Sequence, residues 1–520
     1  MPRPYDPSEG DRALFDALID ASHRYGAAKP ILEDHERRPL SYRDLIRAAF
    51  VLGRKFADLT KRGDRVGVLL PTSSGAVITF FGLHAFGRVP TMLNYTSGAR
   101  NLKAACRLAG VKRILTSHRF IAQGRLEDLV DALGDVAEIT YLEDVRKTIG
   151  LADKLFALAA GAAPRLFRAA LKPSDPGVIL FTSGSLAAPK GVVLTHANMA
   201  GNAAQVAAHI DLDEAWVLFN PLPAFHCFGL TAGIILPLLY GVKAFAYPSP
   251  LHTKIIPGLV KETRANILLS TDTFVNQYAR TAAEGDLSGL NFIVCGAERV
   301  REETHNLMAE RFGGVWVLEG YGATEAAPVI SANQPGAMRR GTVGHVLPGI
   351  EIKVEKVPGV PGDGRLYVRG PNVMAGYLDE DGVTVQAPAD GWHDTGDVVT
   401  LEDGGYLRIV GRARRFAKIG GEMVSLSAVE DMCTTVWPQA RHAVVSITDA
   451  KKGERLVLIT DEAHAETAGL MDYARANGVA EMTVPKKLIK VADVPLLGTG
   501  KTDYAAAQRI ADADAKGGQR

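Results

Sequence analysis

The chain's 520 residues exceed what one hydrophobic core usually serves, so two or more domains are expected. With 59 Lys and Arg against 58 Asp and Glu the formal charge is +1, and no global field draws the protein to nucleic acid or to an anionic membrane. Four scattered cysteines, Cys106, Cys227, Cys295 and Cys433, form no CxxC pair, which argues against a zinc site or a disulfide framework and fits a reducing cytoplasm.

The N-terminus is polar from its first residues and lacks the apolar run of a secretory signal, so a cytoplasmic protein is expected. From Leu40 to about Tyr321 short apolar runs alternate with helical stretches: 65–70, 113–115, 177–181, 244–247, 267–269 and 292–294. That alternation predicts βαβ units and mainly parallel sheets, whose ligands sit beyond the carboxyl ends of the strands. Leu151 to Lys172 is helical in composition, interrupted by Pro164, with Lys154, Arg165, Arg168 and Lys172 as its main charges. It is either a helix packed on the domain or a peripheral contact for a lipid surface or an acidic protein.

Directly after the run GVILF comes FTSGSLAAPKG, residues 181–191. Hydroxyls at Thr182, Ser183 and Ser185, a permissive Gly184 and the cation Lys190 suit phosphate oxygens, because backbone N–H groups and positive charge both favour anions. It is not the Walker pattern, since Gly191 follows the lysine; taken alone, it is also compatible with an ordinary Gly/Ser turn. Further on, Phe228 to Val242 is too short to cross a bilayer and is broken by Gly229, Gly233 and Pro237, so it reads as buried core or pocket wall.

Between residues 341 and 410 the texture turns to short β-rich segments with Gly and Pro turns, predicting a small β subdomain or barrel. GRARRFAKIGG, residues 411–421, packs four basic residues and two adjacent glycines into a plausible hinge, and about a hundred residues with their own strand and helix signals follow. The expected architecture is α/β: a large N-terminal domain over 1–411, including the β-rich part, and a small mobile α+β domain over 412–520.

Five ordered blocks, FTSGSLAAPKGVVLTH, EGYGATEAAP, HDTGDVV, GRARRFAKIGGEMVS and PLLGTGKTDY, resemble the AMP-forming adenylate superfamily of acyl-CoA synthetases, adenylation domains and luciferases. PLPAFHCFGLTAGIILPLLYGVKAFAYPSPLH, GTVGHVLPGIE, GPNVMAGYL and FAKIGGEMVSL resemble most its acyl-acyl-carrier-protein synthetases, including the synthetase half of 2-acylglycerophosphoethanolamine acyltransferase.

The resemblance implies that Tyr321 lies against adenine, that Thr324 meets a phosphate, and that Glu325 holds the Mg²⁺ bridging ATP oxygens. Gly296, Ala297, Glu298, Glu319, Gly320 and Gly322 would complete the nucleotide site with Thr182, Ser183, Gly184, Ser185 and Lys190. Asp397 would hold the ribose hydroxyls with Arg412. Lys501 would bridge the incoming carboxylate and the α-phosphate during adenylation, a job suited to a compact flexible cation. His226 would gate the acyl pocket or orient the acid; a carboxylate is already deprotonated at neutral pH and needs no general base. Phe228, Gly229 and Gly233 would line that pocket, small residues leaving room for an alkyl chain.

Two departures stand out. Leu186 and Ala187 replace a hydroxyl residue and a glycine of the superfamily loop, which predicts weakened or altered ATP binding. Arg415 replaces the superfamily acid at the hinge, as in the carrier-protein branch, and no His-x4-Asp acyltransferase signature occurs among the 13 histidines. The implied chemistry is ATP-dependent activation of a fatty acid to acyl-AMP, then transfer to the phosphopantetheine thiol of acyl carrier protein. Arg412, Arg414, Arg415 and Lys418 would form a landing patch for that acidic partner. The alternatives are a CoA ligase or loading ligase, and a weakly active acyl- or nucleotide-binding protein.

Overall fold

Each of the six runs anticipated as a strand is one, at Arg65–Val68, Arg113–Thr116, Pro176–Ser183, Lys243–Ala246, Ile267–Ser270 and Phe292–Cys295. The computed structural model describes residues 4–183, 189–357, 360, 362–383, 385–419, 422–449, 453–497 and 502–517. It divides into two compact units: Met1–Arg340 with Gly344–Glu351 and Arg369–His393, and Gly341–Val343 with Ile352–Val368 and Asp394–Arg520.

The first unit holds two large sheets. In one, Glu138–Tyr141, Arg113–Thr116, Arg65–Val68, Val89–Met92 and Pro176–Ser183 run parallel. In the other, Pro30–Asp34, Lys243–Ala246, Val217–Asn220, Ile267–Ser270, Phe292–Cys295 and Trp316–Gly322 do the same. Strands such as Val89–Met92 and Ile267–Ser270 are buried along their whole length, as parallel strands covered on both faces must be. Helices such as Tyr42–Leu59, closed by a Ser41–Asp44 capping box, cover them with an apolar stripe.

The β-rich stretch does not stay together. His345–Val346 edges the second sheet, while Gly376–Leu378 and Val385–Gln386 extend the first beyond Pro189–Thr195. The remaining strands, Glu351–Glu355, Gly364–Arg369, His393–Glu402 and Tyr406–Arg412, form a four-stranded sheet grouped with the second unit. The chain thus crosses between the units before it reaches the expected hinge.

In the second unit Glu422–Ser425, Phe416–Ile419, Gly453–Thr460, His442–Asp449 and Lys487–Lys490 make a five-stranded sheet carrying the helices Leu426–Val436, Thr467–Ala476 and Tyr504–Gly517. All four cysteines are free and buried. No described helix is long and apolar enough to cross a membrane.

Candidate functional site

The first unit assembles its site from the ends of parallel strands. Pro176–Ser183 leads toward residues 184–188, and Pro189–Thr195 returns antiparallel, pairing Thr182 with Lys190 across the hairpin. Gly184, Ser185, Leu186 and Ala187 lie outside the described residues. The helix His196–His209 follows, fixed by the Thr195–Asn198 capping box. Its buried asparagines then hold two neighbouring loops: Asn198 Nδ2 donates to the Pro371 and Val373 carbonyls (both 2.8 Å), and Asn202 Nδ2 to that of Val329 (2.8 Å).

Those loops frame the turn Thr324–Ala326, which follows the strand Trp316–Gly322. Met374 N–H donates to the Glu325 carbonyl (2.8 Å), and Asn372 Nδ2 to that of Ala326 (2.7 Å). A Cβ on Gly322 would lie 2.1 Å from the Pro328 carbonyl oxygen, so only glycine lets the strand and the returning chain approach this closely.

The Glu325 side chain is half-buried, and its Oε1 accepts a hydrogen bond from the Tyr377 hydroxyl (2.7 Å). Lys190 Nζ sits 4.8 Å from the centroid of the same tyrosine ring. Cation, tyrosine and carboxylate therefore line up from the hairpin that bounds the phosphate-loop segment to the turn expected to carry the metal ligand. Among the described residues Lys190 makes no ion pair, and Glu325 Oε2 makes no hydrogen bond. Sequence reasoning assigned no role to Tyr377, although it lies in GPNVMAGYL; a lone tyrosine gives no sign of which carboxylate it will meet.

Glu319 and Glu298 have structural duties. Buried Glu319 accepts the Val300 N–H (2.9 Å), and Glu298 Oε2 accepts from Thr273 N–H (3.1 Å) and Oγ1 (2.9 Å) at the start of the helix Asp272–Thr281. Together they anchor the loop of Gly296 and Ala297, the latter left-handed at φ 72°. Tyr321 is half-buried, opposite Ser331 on the neighbouring strand.

The segment expected to line the acyl pocket meets this framework directly. The Cys227 thiol donates to the Thr324 carbonyl (3.9 Å), and a Cβ on Gly296 would lie 3.0 Å from the Phe228 ring. Phe228–Ile235 winds as a fully buried π-helix, a form frequent at functional sites. His226, half-buried, accepts the Phe228 N–H at Nδ1 (3.4 Å), which leaves the proton of a neutral ring on Nε2.

Neither Gly229 nor Gly233 has room for a side chain. A Cβ on Gly229 would lie 2.4 Å from the Pro223 carbonyl oxygen, and one on Gly233 2.1 Å from Asn220 Nδ2. Both glycines serve close packing of the π-helix on the strand Val217–Asn220 and the loop after it.

In the second unit Asp397 and Arg412 are register partners on adjacent strands, with Nε 3.3 Å from Oδ1; the carboxylate is buried and the arginine exposed. Arg415 is not available to a landing patch. Its guanidinium is mostly buried, paired with Glu430 (2.8 Å), bonded to the Val444 carbonyl (3.0 Å) and lying 3.5 Å from the Tyr504 ring centroid. Tyr504 in turn donates to Glu430 Oε2 (3.0 Å). Arg412 and Lys418 remain exposed, while the Arg414 side chain and Lys501 lie outside what is described.

A family model for AMP-binding enzymes matches residues 19–378, and the chain belongs to that family. The medium-chain fatty-acid–CoA ligase of Escherichia coli K12 is 30% identical over 339 residues, 62% of this chain and 59% of that enzyme. The long-chain-fatty-acid–CoA ligase of Salmonella typhimurium is 27% identical over 486 residues, 85% of this chain and 84% of that enzyme. Among solved structures, ATP-bound MatB from Rhodopseudomonas palustris superposes with a TM-score of 0.80 at 24% identity, over 96% of this chain and 99% of that one.

Proposed function

We propose that the protein activates a fatty acid with ATP, forming acyl-AMP and pyrophosphate, and then passes the acyl group to a phosphopantetheine thiol. The alignment of Lys190, Tyr377 and Glu325 carries this reading, because it sets a cation and a carboxylate oxygen, both without an ion pair among the described residues, next to the segment expected to hold phosphates. A single carboxylate oxygen, with substrate phosphates for company, is the donor set Mg²⁺ accepts; Glu325 would hold the ion, which supplies charge neutralisation at the α-phosphate when bound.

Thr182, Thr324, Tyr321 and the Gly296–Glu298 loop would frame the nucleotide, and His226 and Phe228 the acid. Asp397 and Arg412 would hold the ribose, and Lys501 would offset repulsion between carboxylate and phosphate. Reorientation at residues 411–421 would let one site serve both half-reactions. Relatives named as CoA ligases support CoA as the acceptor; the carrier-protein acceptor rests on the resemblance of GPNVMAGYL and FAKIGGEMVSL.

Acid-dependent pyrophosphate release with MgATP across a fatty-acid series tests the reading, with CoA and holo-acyl carrier protein supplied in parallel. Release with acyl transfer to CoA is expected; release with transfer to the carrier alone would change the acceptor, and no release with any acid would overturn the proposal. Lys501→Ala should abolish acyl-AMP formation yet spare transfer from preformed acyl-AMP.

A further inference from the structure

The helix Leu151–Ala162 is packed with its leucines facing outward. Its inward face is Asp153, Phe156, Ala157 and Ala160, lying against the helix Tyr42–Leu59. Arg54 stacks on the Phe156 ring at 4.7 Å, and Arg54 and Lys55 pair with Asp153 at 3.4 and 3.2 Å. An amphipathic helix ordinarily buries its large apolar residues and exposes its charges. Here Leu151, Leu155 and Leu158 are 72, 57 and 50% exposed, and Leu166 in the short helix Pro164–Phe167 is 82% exposed.

Leu151, Leu155, Leu158 and Ala162 fall at i, i+4, i+7 and i+11, one continuous ridge along the helix. Contiguous exposed apolar surface of this kind marks a contact rather than an accident of composition.

The charges around the ridge decide what it contacts. Lys154 flanks the leucines, and Arg146 and Lys172 stand on either side of the segment; all three are exposed and make no ion pair among the described residues. The other basic groups, Arg165 and Arg168, are held by Asp20 and Asp16 of the helix Leu14–Tyr25. The segment's one acid, Asp153, faces inward, its carboxyl held low first by the Gly150 N–H and then by Lys55 and Arg54. An apolar ridge flanked by cations that make no ion pair among the described residues, with no exposed acid between residues 151 and 172, complements an interface that is apolar within and anionic at its rim.

We propose that residues 151–167 dock the protein on an anionic lipid bilayer, with Leu151, Leu155, Leu158 and Leu166 entering the acyl boundary and Lys154 meeting headgroup phosphates. In an enzyme that activates long-chain acids, such docking places it on the phase into which those acids partition. That consequence rests on the proposed activity; the docking does not.

Co-sedimentation of the full chain with vesicles of phosphatidylcholine alone, and of phosphatidylcholine mixed with phosphatidylglycerol, tests the proposal. Binding is expected to rise with phosphatidylglycerol, to weaken with salt, and to fall at least about tenfold in the double variant Leu155→Asp, Leu158→Asp. Both positions are surface-exposed, and an unchanged thermal midpoint would show that the variant folds. Lys154→Glu should weaken binding only to the anionic vesicles. Absent vesicle binding, or binding equal in the leucine variant, overturns the proposal. So does a leucine-dependent self-association or capture of acyl carrier protein without vesicle binding, which would assign the ridge to a protein partner.

Discussion

The two units each set a cation over a tyrosine that donates to a glutamate, put to different uses. In the first, Lys190 lies over the Tyr377 ring and Tyr377 donates to Glu325; in the second, Arg415 lies over the Tyr504 ring and Tyr504 donates to Glu430. The difference is whether cation and carboxylate also touch. Arg415 reaches Glu430 at 2.8 Å and both side chains are only 14% exposed, so their charges are spent on each other. Among the described residues Lys190 and Glu325 are bridged only through the tyrosine, which in the proposed function leaves them capacity for a ligand. One motif is a closed clamp and the other an open site, and burial with direct pairing separates them.

Breaking the clamp should produce the largest effect. Removing one partner of a buried pair leaves the other uncompensated, at a cost of about 3–5 kcal/mol. Arg415→Met should therefore speed hydrogen exchange in the helix Leu426–Val436 by two orders of magnitude or more, about 3 kcal/mol at 1.4 kcal/mol per decade. Exchange in the first unit should be unchanged. Equal exchange in both proteins would mean that the pair adds nothing to the fold.

Acid and base should then move the units in opposite directions. Burial lowers the His196 imidazole to about 4 and holds His84 well below its ordinary value. A depressed folded-state value gives stability present above the unfolded value near 6.5 and lost as pH falls through about 4, a difference of about 3 kcal/mol for His196. Glu430 is raised, first by burial, so its contribution is full below the ordinary carboxylate value and is lost as pH rises through the raised one. His196→Asn, which retains an acceptor for the Leu14 N–H (3.4 Å), should flatten the acid limb of the first unit's thermal unfolding. Glu430→Gln should flatten only the second unit's slope.

This contrast also marks what the sequence could disclose. Parallel strands were legible because fully buried runs such as Ile267–Leu269 are continuously apolar. Val89–Met92 was not, because Pro90 argues against a strand interior, yet it pairs with Val66 in the middle of the sheet. Motif residues such as Glu325 and Asp397 were singled out through their neighbours in the chain, and their roles remain proposals. The partner of Glu325 was not: Tyr377 and Glu325 are 52 residues apart, and nothing local joins them. Gly229 and Gly233 are ambiguous in sequence for a related reason. Small residues in an apolar run signal close approach, but whether a ligand or the chain itself approaches depends on Asn220 and Pro223, distant in pattern though near in space.

The open site sharpens the comparison through activity rather than stability. Glu325→Gln keeps the hydrogen bond from Tyr377 but removes the charge proposed to hold the metal. A loss of about a hundredfold in pyrophosphate release is expected, the scale of removing one preorganised electrostatic group, with no change in thermal midpoint. Stability loss without activity loss would make Glu325 a clamp like Glu430.

The smallest and most discriminating effect should come from the paired tyrosine variants. Tyr377→Phe removes one hydroxyl and leaves the ring beneath Lys190, so the cation keeps its platform while Glu325 loses its orienting donor. A hydrogen bond to a charged group contributes about 1.5–3 kcal/mol when buried, and the half-exposed position of Tyr377 puts it at the low end. About a tenfold fall in the adenylation rate is expected, together with a raised MgATP requirement, because a carboxylate that swings freely must be reordered at each binding event. Tyr504→Phe makes the same chemical change against a carboxylate already fixed by Arg415 and by the Val444 N–H (2.7 Å). Glu430 would stay in place, and the stability of the second unit should fall only slightly. If the two variants gave the same phenotype, the tyrosines would be equivalent packing residues and the distinction between clamp and site would fail; if only Tyr377→Phe shifts the metal dependence, the free carboxylate oxygen of Glu325 is the one that matters.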